Sequence, residues 1–585
     1  MDYRVKHNIQ SCILAALFGM LFPTNAFSQN SSSRVQFHGT NILTGQYSTR
    51  QGTNSLMPQN YLRNELQMTL ALYDVPFGTS FFVSSEDHDM SQKINNLSFY
   101  VDLNALKNNK SRIESENKKN NLENTKAPAY LRFLSKFSKI EGGRFRPNYG
   151  DLTLSRIPVS GLNLEFGDKI LYAAFASGQT KKYVNSSDIL RQSFNQNLIF
   201  GKLGIGPKMK SHLYFTYMDI TDEVPSDSKS LETSVATGKP GSNKIFGTEF
   251  RLSFFKHHWI IDGEAGFSTL TRDIRIEQEP DSIFNGFPDF LIKIVEPNIS
   301  SSGDYAYGFG TKINLRTTRI SGIYRWVGPG YYTLGNPNLI NDRETMEGKV
   351  DQLFFKRKLS LSGFYKTYSD NLKKTKDRYT NSESYGVTAK LLLRKFPFLQ
   401  VSYVPNYQKS TINNFNITNA VNIFNISTGY NYALKKKLRA YTGLNYSAQQ
   451  SDYRNDTIQY HSHNQSLTLT QALNIKPFQV NFNLGYRTIA HTVYDLNILF
   501  FDLSGSHTLK ENWKNTLGMR LMNSKREDVN TIPVLTENKL SFYWQSQIKL
   551  WKNGSFSLNI KDNIYKSSEN DFNELVVLST LTIIW

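Results

Sequence analysis

The carboxy-terminal stretch constrains the fold of this chain more than any other. From Asn573 to Trp585 it reads NELVVLSTLTIIW. Every second residue, counted back from the last, is apolar with one exception: Trp585, Ile583, Leu581, Ser579 and Val577. In a β-strand these residues would lie on one face. A terminal apolar strand exposes an edge that promotes aggregation, whereas in a closed barrel the last strand pairs with the first. The stretch therefore predicts a closed β-barrel, with a soluble β-domain as the alternative.

Residues 1–28 are predicted to be a secretory signal peptide. Two basic residues precede an apolar core from Ile13 to Phe22, and Ala26-Phe27-Ser28 is a small-x-small cleavage pattern before Gln29. The core is too short for a membrane anchor, which needs about 20 apolar residues. The only cysteine, Cys12, leaves with this segment, so disulfides, zinc thiolates and cysteine nucleophiles are excluded from the mature chain.

Composition favours a membrane-spanning barrel for residues 29–585. Aromatic residues make up 13% of the chain, yet the mean hydropathy is only −0.45. Transmembrane barrels combine strands that are apolar on alternate residues with aromatic girdles at the membrane rims. A secreted multi-domain β-protein is the rival interpretation, and it predicts fewer unbroken alternations and less regular spacing. The net charge of +19 suits lipid phosphate, lipopolysaccharide or an anionic solute, because an exported protein does not usually meet nucleic acid.

The strand pattern predicts an all-β fold with one antiparallel barrel of about 26 strands, within a range of 20 to 26. Stretches such as 246–254 and 305–313 alternate apolar and polar residues. Tight turns alternate with longer polar loops, the longest at 221–242, 271–302 and 328–344. Short periplasmic turns and long extracellular loops are typical of outer-membrane barrels. A charged insertion at 104–128 fits this pattern badly, and it is interpreted as a solvated, partly disordered segment or as a docking segment for a periplasmic partner.

Several short motifs resemble a family of large, mostly uncharacterised outer-membrane β-barrel proteins of the Bacteroidota. They include residues 35–47, 74–78, 158–164 and 334–344. The resemblance implies a porin-like or transporter-like barrel in the outer membrane of a Gram-negative bacterium. It also implies that Val577, Leu581, Ile583 and Trp585 form the signal that the barrel assembly machinery reads. It supplies no catalytic or ligand-binding residue.

The polar faces of the predicted strands supply candidate lumen-lining residues. These are charged, with an excess of basic side chains: Glu249, Arg251, Lys312, Arg316, Glu347, Lys349, Asp351, Lys390 and Lys549. The first hypothesis is a channel or transporter for hydrophilic solutes. The basic excess further suggests that these solutes are anionic. The second is a non-conducting structural subunit or scaffold of an assembly, export or surface-display complex, with a periplasmic or surface protein as partner.

Enzymatic and metal chemistry are not expected. His257-His258 and His461-Ser462-His463 are the close histidine groups, and neither has the spacing of a helical metal site. No phosphate-binding loop motif occurs in the sequence. We therefore predict no catalytic residue, no metal and no cofactor.

Overall fold

The computed structural model describes most of the chain, with gaps at the amino terminus and in several connections. The described residues are 35–51, 60–72, 75–85, 96–119, 126–182, 194–224, 239–277, 289–412, 415–435, 438–528, 535–567 and 571–585. The predicted signal peptide at 1–28 lies outside them, as do parts of the loops predicted at 221–242 and 271–302.

The described chain is built of 26 strands. The first half comprises β1 (Val35–Gln51), β2 (Asn60–Leu72), β3 (Val75–Ser84), β4 (Asn96–Val101), β5 (Phe137–Phe145), β6 (Val159–Gly167), β7 (Leu171–Lys181), β8 (Gln196–Ile205), β9 (His212–Asp222), β10 (Ser242–Phe254), β11 (Trp259–Thr271), β12 (Ser301–Asn314) and β13 (Thr318–Val327). The second half comprises β14 (Arg343–Phe354), β15 (Leu359–Asp370), β16 (Arg378–Leu391), β17 (Phe398–Ile412), β18 (Phe415–Lys435), β19 (Leu438–Arg454), β20 (Gln459–Ile475), β21 (Phe478–His491), β22 (Tyr494–Leu509), β23 (Trp513–Asp528), β24 (Leu535–Trp551), β25 (Gly554–Ser567) and β26 (Phe572–Ile584).

Every strand pairs antiparallel with its neighbours in the sequence, and β26 pairs with β1 to close the barrel. The closing register runs from Thr40 opposite Ile584 to Gln51 opposite Asn573. Just beyond the last strand, Gly39 and Trp585 exchange two backbone N–H···O bonds of 3.0 Å. The prediction of an all-β, closed barrel of about 26 strands is confirmed.

The outer face is apolar because the two-residue period of the strands sends alternate side chains outward. Phe215, Leu203 and Leu517 leave 62%, 62% and 64% of their surface uncovered. Large apolar side chains that the protein leaves this exposed are stable in an apolar environment, such as the acyl chains of a membrane. Tryptophans gather at one end of the barrel, at Trp259, Trp513, Trp551 and Trp585, where an interfacial girdle is expected.

The two ends of the barrel differ, and we call them the short-turn end and the loop end. Connections such as 168–170, 315–317 and 552–553 lie at the short-turn end, together with both ends of the strand series. The loop end carries 223–241, 272–300 and 328–342. After β16 the asymmetry weakens, because the connection at 492–493 is a short loop-end turn between the long strands β21 and β22.

The described part of the charged insertion at 104–128 is largely helical and lies at the short-turn end. Helix α1 (Leu103–Lys119) and helix α2 (Ala129–Leu134) follow β4 and precede β5. Leu106 and Leu131 are fully buried against Val75 of β3. A third short helix, α3 (Asp289–Val295), lies in the connection after β11. None of the described helices combines the length and hydropathy required to cross a membrane.

Candidate functional site in the barrel lumen

The inner face of the wall is identified by the segments that fold against it. Tyr149, between β5 and β6, donates a 2.6 Å hydrogen bond from its hydroxyl to Asn163 on β6 and accepts one of 2.6 Å from Lys202 on β8 at its carbonyl. Residues paired directly across an antiparallel ladder point to the same face. The register therefore extends this inner face around the whole barrel.

Two connections from the loop end fold into the lumen, and we call them the first inward loop (146–158) and the second inward loop (328–342). They bind each other through backbone oxygens: the Tyr331 hydroxyl donates to the carbonyl of Leu152 at 2.5 Å, and the Thr333 hydroxyl donates to that of Thr153 at 2.7 Å. The backbone N–H of Ser155 also donates to the carbonyl of Gly335 at 2.9 Å. The two loops thus form one structural unit inside the barrel.

This unit is fastened to the wall by polar contacts. Asn243 on β10 accepts a 2.9 Å bond from the backbone N–H of Leu334 and donates a 3.1 Å bond to the carbonyl of Tyr332. The Ser268 hydroxyl on β11 donates to the same carbonyl. Because a buried carbonyl without a donor is costly, these contacts fix the second inward loop against β10 and β11.

A packed apolar core lies between the inward loops and the wall. Leu154 of the first loop packs with Phe200, Met218 and Ile245 from β8, β9 and β10, and all four are fully buried. Tyr331 and Leu152 form a second, adjoining cluster. Burial raises the pKa of the Tyr331 and Tyr149 hydroxyls well above the ordinary tyrosine value, so both remain protonated hydrogen-bond donors. The barrel is therefore filled, and not open, along β6 to β13.

A charged network underlies this core. The ammonium of Lys202, which is 4% exposed, binds the carboxylate of Glu249, and His212 approaches the other oxygen of Glu249 at 3.2 Å. Nearby, Lys208 binds Glu165 at 2.7 Å. Mutual pairing compensates these side chains for the loss of water. The network is best explained as structural support beneath the first inward loop.

The wall formed by β17 to β20 is different, because amides and hydroxyls predominate on its inner face, among a smaller number of aliphatic and aromatic side chains. Apart from Arg439 near the short-turn end, the described residues of these four strands place no charged side chain on the inner face. We call this surface the polar wall, and its members include Gln400, Ser402, Asn406, Asn425, Asn445, Ser447, Gln449, Asn464, Ser466 and Thr468. Most are only partly covered, so the polar wall borders open space.

Basic side chains line the inner face close to the short-turn end, and we call them the inner basic ring. They lie within a few residues of a strand end on β10, β12, β16, β19, β23 and β24: Arg251, Lys312, Lys390, Arg439, Lys514 and Lys549. None of them forms an ion pair with another described residue. Asp262 lies opposite Arg251 in the ladder, while Asp351 at a similar level is bound by Lys349 at 3.2 Å.

The predicted lumen-lining residues fall into three environments. Arg251, Lys312, Lys390 and Lys549 belong to the inner basic ring, whereas Arg316 lies in the turn at 315–317 and not on the wall. The others are on the inner face but are neutralised by partners: Glu249 by Lys202, Glu347 by Lys366 at 2.5 Å, and Lys349 by Asp351. Sequence reasoning missed Lys202, Arg439, Lys514 and the first inward loop. The double-sided apolar pattern of β8, NLIFGKLGI, was the available signal of a covered inner face.

The predicted assembly-signal residues lie on the outer face of the closing seam. Val577, Leu581 and Ile583 pair with Tyr47, Leu43 and Asn41 of β1. Trp585 stacks on Phe37 with ring centroids 6.0 Å apart. Their recognition by an assembly machinery stays a prediction.

The two close histidine groups of the sequence lie at different places on the barrel. His257 and His258 lie in the turn between β10 and β11, and His461 on β20 contacts Asp452 at 2.5 Å. Across the part of the chain that the structure describes, no group of three or more His, Cys, Asp or Glu is arranged to hold a metal ion.

Comparison with known proteins gives similarity in fold only. No protein-family model matches the chain, and no curated protein sequence matches it significantly. Among solved structures, an Escherichia coli P pilus tip assembly intermediate containing the PapC usher shares 9% identity and a TM-score of 0.42, covering 93% of this chain and 60% of that one. The chain thus spans well under two thirds of that protein's length. A BenF-like porin from Pseudomonas fluorescens shares 10% identity and a TM-score of 0.31, covering 67% of this chain and 98% of the porin. At such low identities the likeness concerns the barrel fold alone, and membership of a Bacteroidota family stays a prediction.

Proposed function

We propose that this protein is an outer-membrane channel for hydrophilic solutes, narrowed on one side by the two inward loops. The observation that carries the proposal is the contrast between the two faces of a closed barrel. The outside is aliphatic and aromatic, whereas the polar wall on the inside offers hydrogen-bonding groups to water and solute. In this proposal the short-turn end, with its tryptophans, faces the periplasm and the loop end faces the exterior.

The size of the barrel supports a water-filled path beside the inward loops. For 26 strands spaced about 4.8 Å apart and tilted by about 40°, a circular barrel has a diameter of about 50 Å. The inward loops pack on the inner faces of β6 to β13 and are not in contact with the polar wall through any hydrogen bond between described residues. Solutes would therefore pass along β17 to β20.

We further propose a preference for anions. The inner basic ring places positive charge that is not engaged in ion pairs between described residues on the inner face at the proposed periplasmic mouth. In a channel, basic side chains on the inner face favour the entry of anions. The amides and hydroxyls of the polar wall carry no formal charge and would not oppose that preference.

Single-channel recording of the refolded protein in a planar bilayer tests both parts. A stable conductance supports the channel, and the reversal potential in a salt gradient reports ion preference. Replacing Lys312, Lys390 and Lys549 by Gln should shift the reversal potential towards cation permeation with the conductance retained. A control with Arg316, Lys356 and Lys395 replaced by Gln removes the same charge from turns outside the lumen and should leave the reversal potential unchanged.

A non-conducting scaffold is the second candidate, and the core beneath the inward loops favours it. That core ties Leu154 and Tyr331 to the wall much as a plug would be held. The absence of conductance from a folded, heat-modifiable barrel would contradict the open channel. Shortening the second inward loop then separates the remaining possibilities, because conductance would appear in a plugged channel and stay absent in a scaffold whose described helices α1 and α2 dock a partner.

A further inference from the structure

Three consecutive turns at the short-turn end line a basic pocket that is widely open to the surface. The turns at 168–170, 206–211 and 255–258 are neighbours on the rim, since they join six strands that follow one another in the barrel. Between them lies a cavity of about 620 Å³, whose lining includes Lys169, Lys210, Ser211, Lys256 and His257. Residues distant in sequence thus place several cationic and hydroxyl groups around one space.

The ammonium groups of this pocket are not engaged in ion pairs with described carboxylates. Lys169, Lys210 and Lys256 form no ion pair with a described residue, unlike Lys208 in the same turn region, which points to Glu165. The carboxylate nearest in sequence, Asp168, is occupied by Lys136 at 2.5 Å. An anion bound between three ammonium groups would be attracted by each of them.

Hydroxyl and imidazole groups add directional donors to the pocket. The Ser211 hydroxyl oxygen accepts the backbone N–H of Ser253 at 3.0 Å, which leaves its own O–H to donate. The His257 ring is held by a 2.6 Å bond between its Nδ1 and the Ser253 hydroxyl. The Nε2 atom of His257 is therefore oriented by the turn and has no described protein partner.

An exposed apolar side chain stands beside the lysine in each of the three turns. Ile170, Met209 and Phe255 leave 76%, 74% and 75% of their surface uncovered. Such residues at the end of a barrel insert into the acyl region next to the headgroups, while neighbouring lysines remain at headgroup level. The pocket is therefore placed where a phosphate and an acyl chain of the same molecule could both be bound.

We propose that this pocket is a binding site for a phosphate group. Lysine is a point-charge binder of phosphate, and hydroxyl and imidazole N–H groups complete its hydrogen bonds. The phosphate could belong to an anionic phospholipid of the membrane leaflet or to free inorganic phosphate. The apolar residues at the pocket favour the phospholipid, and the two sources are distinguished by experiment.

The test is a lipid-binding titration of the purified, refolded full barrel in detergent micelles, followed by native mass spectrometry. Phosphatidylglycerol is the anionic probe and phosphatidylcholine the neutral comparison. The pocket variant replaces Lys169, Lys210 and Lys256 by Gln. Each lysine near an anionic group is worth about 1 kcal/mol, so the variant should bind phosphatidylglycerol on the order of 100-fold more weakly.

A matched control uses three other consecutive turns of the same rim. Arg316, Lys356 and Lys395 also lie beside exposed apolar residues, Leu315, Phe355 and Phe396. Replacing these three by Gln removes the same charge and should leave the tightest phosphatidylglycerol binding event unchanged. An equal loss of phosphatidylglycerol affinity in both variants would show that binding depends on the charge of the whole rim, and it would contradict a specific pocket.

Inorganic phosphate supplies the second arm. If the wild type binds inorganic phosphate, the pocket variant does not, and lipid leaves this binding unchanged, the site binds the free ion. Displacement of phosphate by phosphatidylglycerol would assign it to the lipid. The proposal is refuted if neither probe binds the wild type more tightly than the pocket variant. The shift in electrophoretic mobility on heating checks that each variant is folded.

Discussion

Substituting Gly39 by alanine should weaken the closure of the barrel, because the indole of Trp585 lies directly over this glycine. A Cβ atom at position 39 would be 2.4 Å from Cε2, 2.5 Å from Cζ2 and 2.6 Å from Nε1 of Trp585. The indole has little freedom to yield. Its residue is held by two backbone bonds to Gly39, and its ring stacks on Phe37.

The expected magnitude follows from the two ways of relieving this contact. Forcing an extra carbon into a packed contact costs about 1–3 kcal/mol. Turning the indole away instead loses the stacking on Phe37, which is worth about 0.5–1.5 kcal/mol, together with its cover over Gly39. We therefore expect Gly39→Ala to lower the free energy of unfolding by about 1–3 kcal/mol.

Gly45 provides a control on the same strand and the same outer face. A Cβ atom there would be 3.2 Å from the Ser579 hydroxyl and 3.7 Å from a Leu62 methyl, which small adjustments can accommodate. We expect Gly45→Ala to change the free energy of unfolding by less than about 0.5 kcal/mol, as for an ordinary surface substitution.

The assay is urea unfolding of barrels refolded into lipid vesicles, monitored by tryptophan fluorescence and by the electrophoretic shift on heating. Equal stability of Gly39→Ala and Gly45→Ala would refute the reasoning about the seam. A double-mutant cycle with Trp585→Phe sharpens the test. The smaller ring should make Gly39→Ala less costly than it is in the wild type, whereas additive losses would contradict a direct contact.

Three other substitutions test the interior and the helices. Lys202→Met should destabilise the barrel by about 2–4 kcal/mol in urea unfolding, because Glu249 loses its buried partner. Lys366→Met breaks an exposed ion pair and should lower the free energy of unfolding by less than about 1 kcal/mol. Tyr331→Phe removes the bond to the first inward loop and should cost about 1–2 kcal/mol, with increased proteolysis of the loops; unchanged digestion would contradict their coupling. Leu106→Ala should detach helix α1 at a cost of about 2–5 kcal/mol, detected as faster proteolysis of the helix while the barrel keeps its heat-modified mobility.

The strands were predictable because their information is local. A membrane-spanning strand has to alternate apolar and polar side chains, so stretches such as 305–313 reveal both the element and its outer face. The aromatic carboxy terminus predicted closure, and β26 does pair with β1. Helix α1 was missed because a charged run carries no such alternation, and only burial of Leu106 against Val75 shows what orders it.

The candidate site was predictable only in part. The two-residue period identified Arg251, Lys312, Lys390 and Lys549 as inner-face residues of their strands. It could not tell these from Glu347 and Lys349, which lie on the same face but are paired. Pairing depends on neighbours from other strands, and those neighbours follow from the register.

By itself the sequence determined the class of fold, a strand number between 20 and 26 and the alternation of the strand faces, because each of these depends on residues close together in the chain. The tertiary structure alone decided what fills the barrel. The bond from Tyr331 to Leu152 joins positions 179 residues apart, and the pocket of Lys169, Lys210 and Lys256 needs three separate turns. Such contacts depend on which strands pair and in which register, because the pairing sets which loops and turns face one another.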